Sequence, residues 1–193
     1  THRVHDRTNT TDITDITERG ALPLVLGGDH AITYPVLRAI NRACGPVNVL
    51  HFDAHPDLYH DYEGNPFSHA SPFARVMENG LASRLVQVGI RTLNQDQKDQ
   101  ARRFGVEMHE MRTLDVNAIV PNFNGPVYIS CDIDALDPAC APGVSHQEPG
   151  GLSVRDMLSI IQRVPNRIVG ADIVEFNPSC DINDMTAMVA AKL

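Results

Sequence analysis

At 193 residues, 42% hydrophobic and 21% charged, the chain has the balance of a soluble globular protein, long enough for one domain with a substantial core. A net charge of −8 argues against a nucleic-acid partner and suits cationic ligands such as metal ions or guanidinium compounds. No apolar run approaches the ~18 residues of a membrane span, and Cys44, Cys131, Cys140 and Cys180 lie far apart, which reads as reduced intracellular thiols rather than a zinc knuckle.

Residues 1–20 are polar and predict a loose lead-in with one helical turn; the Asp-Ile-Thr echo at 12–17 is too short to be a repeat. Leu22–Leu26 reads as a strand, followed at once by Gly27-Gly28-Asp29-His30, and residues 31–43 as a helix that tolerates Pro35 near its first turn. Val47–Phe52 is the next strand, and residues 58–70 an irregular loop. Phe73–Asn79 is a short helix closed by Gly80, Leu85–Ile90 a strand, Gln95–Phe104 a helix, and Val106–Met111 a further strand. Val127–Cys131 is a strand that opens into a long Pro- and Gly-rich loop at 134–151. Ser153 then caps a helix to about Val164, with Asp156 at the capping-box spacing. Ile168–Val174 is the last strand, and a helix starts near Asp184; the closing Ala-Lys-Leu reads as its end rather than as a peroxisomal address. Strand–helix alternation without an internal linker predicts a single α/β domain over 1–193, a doubly wound, mostly parallel sheet.

In a parallel sheet every strand delivers its carboxyl end to the same edge, where ligands bind. Val47–Phe52 ends in Asp53, His55 and Asp57, spaced two apart, so that an extended chain points all three at one spot. Val127–Cys131 ends in Asp132 and Asp134, Leu22–Leu26 in His30, and Ile168–Val174 in Glu175. Read singly, each has a bland structural explanation: a capped turn, a polar loop, a surface acid. Together, Asp53, Asp57, Asp132 and Asp134 would form six like-charge pairs, at ~3 kcal/mol each for ~5 Å and an effective dielectric of ~20. The sum of ~20 kcal/mol exceeds the ~5–15 kcal/mol stability of a typical domain, so the ionised cluster needs cations. Two divalent ions match four carboxylates, and oxygen-rich ligation with two imidazoles and no thiolate favours Mn²⁺ over tetrahedral zinc. Two such ions can share a hydroxide and generate a nucleophile near neutral pH.

Leu-Gly-Gly-Asp-His (26–30), Phe-Asp-Ala-His-Pro-Asp (52–57), Ser-Cys-Asp-Ile-Asp-Ala-Leu-Asp-Pro (130–138), Glu-Pro-Gly-Gly-Leu (148–152) and Val-Glu-Phe-Asn-Pro (174–178) resemble, in order, the motifs of the ureohydrolases, the arginase and agmatinase family. Pro56, Ser68-His69-Ala70-Ser71 and Gly143-Val144-Ser145-His146 are most similar to plant-type arginases and their agmatinase-like bacterial relatives. The resemblance, which covers about residue 21 to the end, implies a three-layer arginase-like sheet shorter than the family norm at both ends: either the chain is a fragment, or the absent parts leave a sheet edge and apolar surface exposed, an aggregation liability unless a partner covers them. It implies that His30, Asp53, Asp57 and Asp132 hold one manganese ion and His55, Asp53, Asp132 and Asp134 the other. The shared hydroxide would attack a guanidinium carbon, and the tetrahedral intermediate would collapse to urea and an amine. Asp134 would steady the hydroxide, Glu175 would accept guanidinium hydrogen bonds, and His69 on the loop would shuttle a proton to the leaving amine. His146 stands where many agmatinases and animal arginases carry a threonine near the substrate. The animal-arginase residues that grip the α-carboxylate have no match around Tyr59–Pro66, so arginine is favoured only slightly over agmatine. His51 and His60 receive no role. The resemblance also implies a homo-oligomer, trimer or hexamer, in the cytoplasm or, in a plant, the mitochondrion. The alternatives are a metal-dependent amide hydrolase or deacetylase on the related fold, or an inactive metal-binding remnant.

Overall fold

The computed structural model describes residues 11–119 and 121–193. Six strands, β1 (Leu24–Leu26), β2 (Val47–Phe52), β3 (Ala82–Ile90), β4 (Glu107–Glu110), β5 (Val127–Asp132) and β6 (Ile168–Val174), form one sheet in the order β1-β6-β5-β2-β3-β4. Every pairing is parallel. Parallel neighbours cannot be joined by a tight hairpin, so the chain crosses over a face of the sheet between strands. The flanking helices are α1 (residues 11–18), α2 (Thr33–Cys44), α3 (Pro72–Glu78), α4 (Gln95–Phe104), α5 (Val154–Ile161) and α6 (Met185–Lys192).

Alternation along β2 builds the three layers. Val47 and Val49 pack with Leu37 and Ile40 of α2 and Phe73 and Val76 of α3 on one face. Leu50 and Phe52 pack with Met157 and Ile160 of α5 on the other. A strand covered on both faces must be apolar nearly throughout, and β2 and β5 are buried at every position. Local signals set the helix ends. Pro72 opens α3, Asn94 caps α4 by accepting from Gln97 N–H, and Gly105 closes α4 in the left-handed region. The Ser153–Asp156 capping box starts α5.

Several boundaries differ from the sequence reading. Residues 1–10 of the predicted lead-in lie outside the described residues, but 11–18 form a full helix, because Ile13 is buried in the α2–α3 cluster and tertiary packing overrides the weak local propensity. β1 starts at Leu24 rather than Leu22, and β3 starts earlier, at Ala82. β4 is trimmed to Glu107–Glu110, and α5 ends at Ile161, ahead of Pro165, which disfavours helix in the residue before it. β1 is an edge strand, and Leu22, Leu24 and Leu26 are open to solvent at 52%, 60% and 74% exposure. Among the described residues no helix is long and apolar enough to cross a membrane.

Candidate metal centre and its cleft

β1, β6, β5 and β2 are adjacent in the sheet, so the four strand ends predicted to carry site residues open side by side. Asp53 follows β2 on the face of Val49 and His51. Beyond it the chain does not stay extended, as the two-apart spacing implied. It bends at Ala54–His55, and Asp57 takes φ 50, so His55 and Asp57 reach different partners. Glu175, next after β6, also has positive φ, at 64°. Such conformations cost a non-glycine residue about 1–3 kcal/mol and persist where the surroundings impose them. Gly89 in β3 makes room for this turn. At φ 104 it brings its backbone so close that a Cβ would lie 2.9 Å from the Asp53 carbonyl oxygen. Gly89→Ala is therefore expected to lower stability by roughly 1–3 kcal/mol, measured by denaturant unfolding.

Two side-chain clusters share Asp53. His30 Nδ1 lies 3.3 Å from Asp53 Oδ2, 3.1 Å from Asp57 Oδ2 and 3.3 Å from Asp132 Oδ2, and it is buried without a well-formed hydrogen bond. His55 Nδ1 lies 3.3 Å from Asp53 Oδ1 and 3.1 Å from Asp134 Oδ2. Asp53 thus turns one oxygen to each imidazole, while Asp132 Oδ1 accepts the Asp134 N–H at 2.8 Å. Burial pushes the Asp57, Asp132 and Asp134 carboxyls up, and neighbouring carboxylates add to the shift, carrying Asp57 to about 6. Burial also acts to raise Asp53, but the facing His30, His51 and His55 imidazoles outweigh it and hold Asp53 well below its usual range. For His30 and His55 burial acts downward, yet the facing carboxylates win, and His55 is pushed up to about 12.

The side chains alone therefore balance their charge with protons rather than bearing six ionised like-charge pairs. A divalent cation can replace those protons. Two imidazole nitrogens and the oxygens of four buried carboxylates are a hard, oxygen-rich donor set, and the His30 Nδ1 atom aimed at three carboxylate oxygens is what a metal ligand requires. Atoms of Asp53, His55 and Asp134, and separately of His30, His51 and Asp53, lie within 4.8 Å of one another.

A cleft of about 340 Å³ opens over this centre, lined by His55, Asp57, Asp132, Asp134, Glu175, His69 and His146, with Tyr59, Tyr62 and Asn94 farther along. No Lys or Arg lines it among the described residues. His30 and Asp53 are fully buried, so every residue singled out from the sequence lies in the cleft wall or beneath it. Glu175 Oε1 accepts the His30 backbone N–H at 2.9 Å, and burial raises its carboxyl. The His69 and His146 rings stack at 6.2 Å, and His146 meets the His55 ring edge-on at 5.9 Å.

The sequence reading passed over Arg91. Its guanidinium donates to the carbonyls of Asp134 (2.7 Å), Glu148 (2.5 Å) and Gly89 (3.1 Å), tying the loop after β5 to β3. No local pattern marks such a residue, because its partners are backbone carbonyls and all but Gly89 lie in distant segments. Arg91→Lys loses the fork geometry and is expected to cost about 1–3 kcal/mol, read as a lower thermal midpoint.

Known proteins are similar to this chain in sequence and fold. The profile described as "Arginase family" matches residues 2–193. The mitochondrial arginase of Medicago truncatula is 58% identical over 179 residues, which cover 89% of this chain and 53% of that protein. An N(1)-aminopropylagmatine ureohydrolase of Thermus thermophilus is 40% identical over 87% of this chain and 59% of its own length. The solved structure of arginase from Medicago truncatula superposes with a TM-score of 0.86 at 52% identity, covering 95% of this chain and 62% of that one. The chain thus spans about half the length of the curated relatives it matches. With the profile matched along nearly the whole chain and the fold shared at such identity, this chain belongs to the arginase family.

Proposed function

We propose that this chain carries the catalytic centre of a dimanganese ureohydrolase that cleaves a small guanidino compound to urea and an amine. The observation that supports this most is Asp53, which offers one oxygen to each of two imidazole-carboxylate clusters beneath a cleft that no Lys or Arg lines among the described residues. His30, Asp53, Asp57 and Asp132 would hold one ion, and His55, Asp53, Asp132 and Asp134 the other. Bound there, two Mn²⁺ ions would neutralise the carboxylates and acidify a shared water into a nucleophile near neutral pH.

The remaining steps belong to the chain's own residues. Glu175, held through Oε1 by the His30 N–H, accepts hydrogen bonds from the planar guanidinium and so fixes its carbon over the centre. Asp134, held through Oδ1 by the Ala54 N–H at 3.1 Å, accepts a hydrogen bond from the attacking water and orients it. His69, in the cleft wall, delivers the proton that lets the amine leave. His146, stacked on His69, contacts the substrate beyond the guanidinium. In this reading the protein works as a homo-oligomer, trimer or hexamer, in the cytoplasm or, in a plant, the mitochondrion.

Similarity to plant arginases favours arginine as the substrate. The cleft favours a second reading, agmatine or a related amine: with no Lys or Arg in its lining among the described residues, it offers no permanently charged partner to an α-carboxylate. Urea release with added Mn²⁺, compared across arginine, agmatine, guanidinobutyrate and guanidine, decides between them, with arginine expected to be fastest. No urea from any of the four overturns the proposal, and turnover of acetylated amines instead would point to the amide-hydrolase class. Glu175→Gln is expected to keep both ions and lose about 10³-fold in kcat/KM, the equivalent of two charge-assisted hydrogen bonds.

A further inference from the structure

Directly beneath the ligand cluster, four adjacent strands each place one polar side chain at the same level. Gln87 of β3 pairs in register with His51 of β2, His51 with Ser130 of β5, and Ser130 with Asp172 of β6. All four are completely buried. Each stands between two apolar neighbours in its strand, where a polar group without a partner costs about 1–3 kcal/mol.

Hydrogen-bond valence settles where the protons of this row sit. The Pro56 carbonyl can only accept, and it lies 2.7 Å from one terminal atom of Gln87, which must be the amide nitrogen. That same nitrogen is 3.0 Å from His51 Nδ1, so Nδ1 is an acceptor. The His51 proton therefore resides on Nε2 and is donated to Asp53 Oδ2 at 2.9 Å. With both nitrogens engaged and Phe73 packed 4.0 Å from its ring, His51 has no lone pair left for a metal. It acts on Asp53 instead.

The other half of the row follows the same logic. Asp172 accepts three hydroxyl hydrogens, from Thr33 (2.8 Å), Tyr128 (2.6 Å) and Ser130 (2.7 Å). Ser130 has a single hydroxyl hydrogen, already given to Asp172, so it accepts from His30 Nε2–H at 2.9 Å. His30 is thereby turned so that Nδ1 faces Asp53, Asp57 and Asp132.

We propose that the Gln87–His51–Ser130–Asp172 row is a positioning layer for the metal pair, holding the protons of His51 and His30 on Nε2 so that Asp53 Oδ2 and His30 Nδ1 present lone pairs to the cation. The proposal rests on the dimanganese reading and adds four residues to it, none of them a ligand. Outer partners of this kind commonly govern metal affinity about 10–100-fold.

The test is Mn²⁺ binding by the full chain, followed by calorimetry and by the electron paramagnetic resonance signal of a coupled Mn²⁺ pair, with folding checked by circular dichroism. Asp172→Asn conserves shape but not hydrogen-bond polarity. Its carbonyl oxygen stays with the Thr33 and Tyr128 hydroxyls, so its amide nitrogen faces Ser130. Ser130 then turns its hydrogen toward His30 Nε2 and drives the imidazole proton to Nδ1, the atom that should face the metal. Apparent Mn²⁺ affinity is expected to fall about 10–100-fold and the coupled signal to weaken. His51→Leu should do the same, whereas His51→Gln, whose amide nitrogen can occupy the place of Nε2, should recover most of the loss. Parent-like affinity in both Asp172→Asn and His51→Leu overturns the row and leaves the dimanganese reading standing. Loss as severe in His51→Gln as in His51→Leu overturns it as well, since that is the behaviour of a direct ligand. A parent chain that takes up no Mn²⁺ fails the dimanganese reading itself, and the row with it.

Discussion

Replacing Asp53 with alanine is expected to abolish binding at both metal positions and to lower urea release by at least ~10³-fold, the loss of several kcal/mol of transition-state charge stabilisation. No other carboxylate stands where Asp53 stands, with Oδ2 facing His30, Oδ1 facing His55, and burial that leaves no water to take its place. Asp53 also organises the loop that follows, because its Oδ1 accepts the His55 backbone N–H at 2.6 Å. Asp57→Ala should be milder. Asp57 contacts only the His30 side, so one ion should remain. Metal analysis of the two purified variants separates these outcomes. Two ions retained in Asp53→Ala would remove the basis for a shared carboxylate.

Thermal stabilisation by Mn²⁺ is expected to be larger at pH 8 than at pH 5.5, by about 10 °C at an ion concentration ~1,000-fold above the dissociation constant. The sign follows from the protons the cluster holds. In the metal-free chain His55 is pushed from 6.5 up to about 12 in the folded state, so its contribution is complete below pH 6.5 and declines as pH rises toward 12. Asp57 is raised from 3.8 to about 6, so its contribution is complete below pH 3.8 and is lost as pH rises through about 6. Asp53, held low, works in the opposite sense and loses its contribution as pH falls below 3.8. The metal-free chain should therefore weaken from mild acid upward. A metal ion must displace the same protons, so its apparent affinity increases with pH, by about tenfold per pH unit for each proton released. Melting curves with and without Mn²⁺ at the two pH values measure the difference. Equal stabilisation at both would mean that the ions do not replace protons on His30 and His55.

Much of the architecture was legible before any coordinates. β2, α4 and β6 occupy the residues their patterns predict, and the Ser153–Asp156 capping box forms as its spacing requires. These are local properties: runs of apolar residues, helix caps and turn residues act within a few positions of themselves. The strand-end carboxylates were legible for a related reason, since parallel strands share one outlet edge whatever their order. Departures occurred where distant packing decides. Helix 11–18 is held by the burial of Ile13 against α2 and α3, and the alternation that carries His51 to Asp53 fails at Asp57, where positive φ turns the chain.

The sequence by itself determined that carboxylates and imidazoles would gather at one end of a parallel sheet, because alternation and strand direction are written into each segment separately. Only the tertiary structure decided which atoms meet. Gln87, His51, Ser130 and Asp172 come from four strands, and their alignment depends on strand register, which the crossovers and the packing of both sheet faces establish. A polar residue within an apolar run was visible in each strand, but its partner was not. The proton positions that follow from those partners belong to the fold.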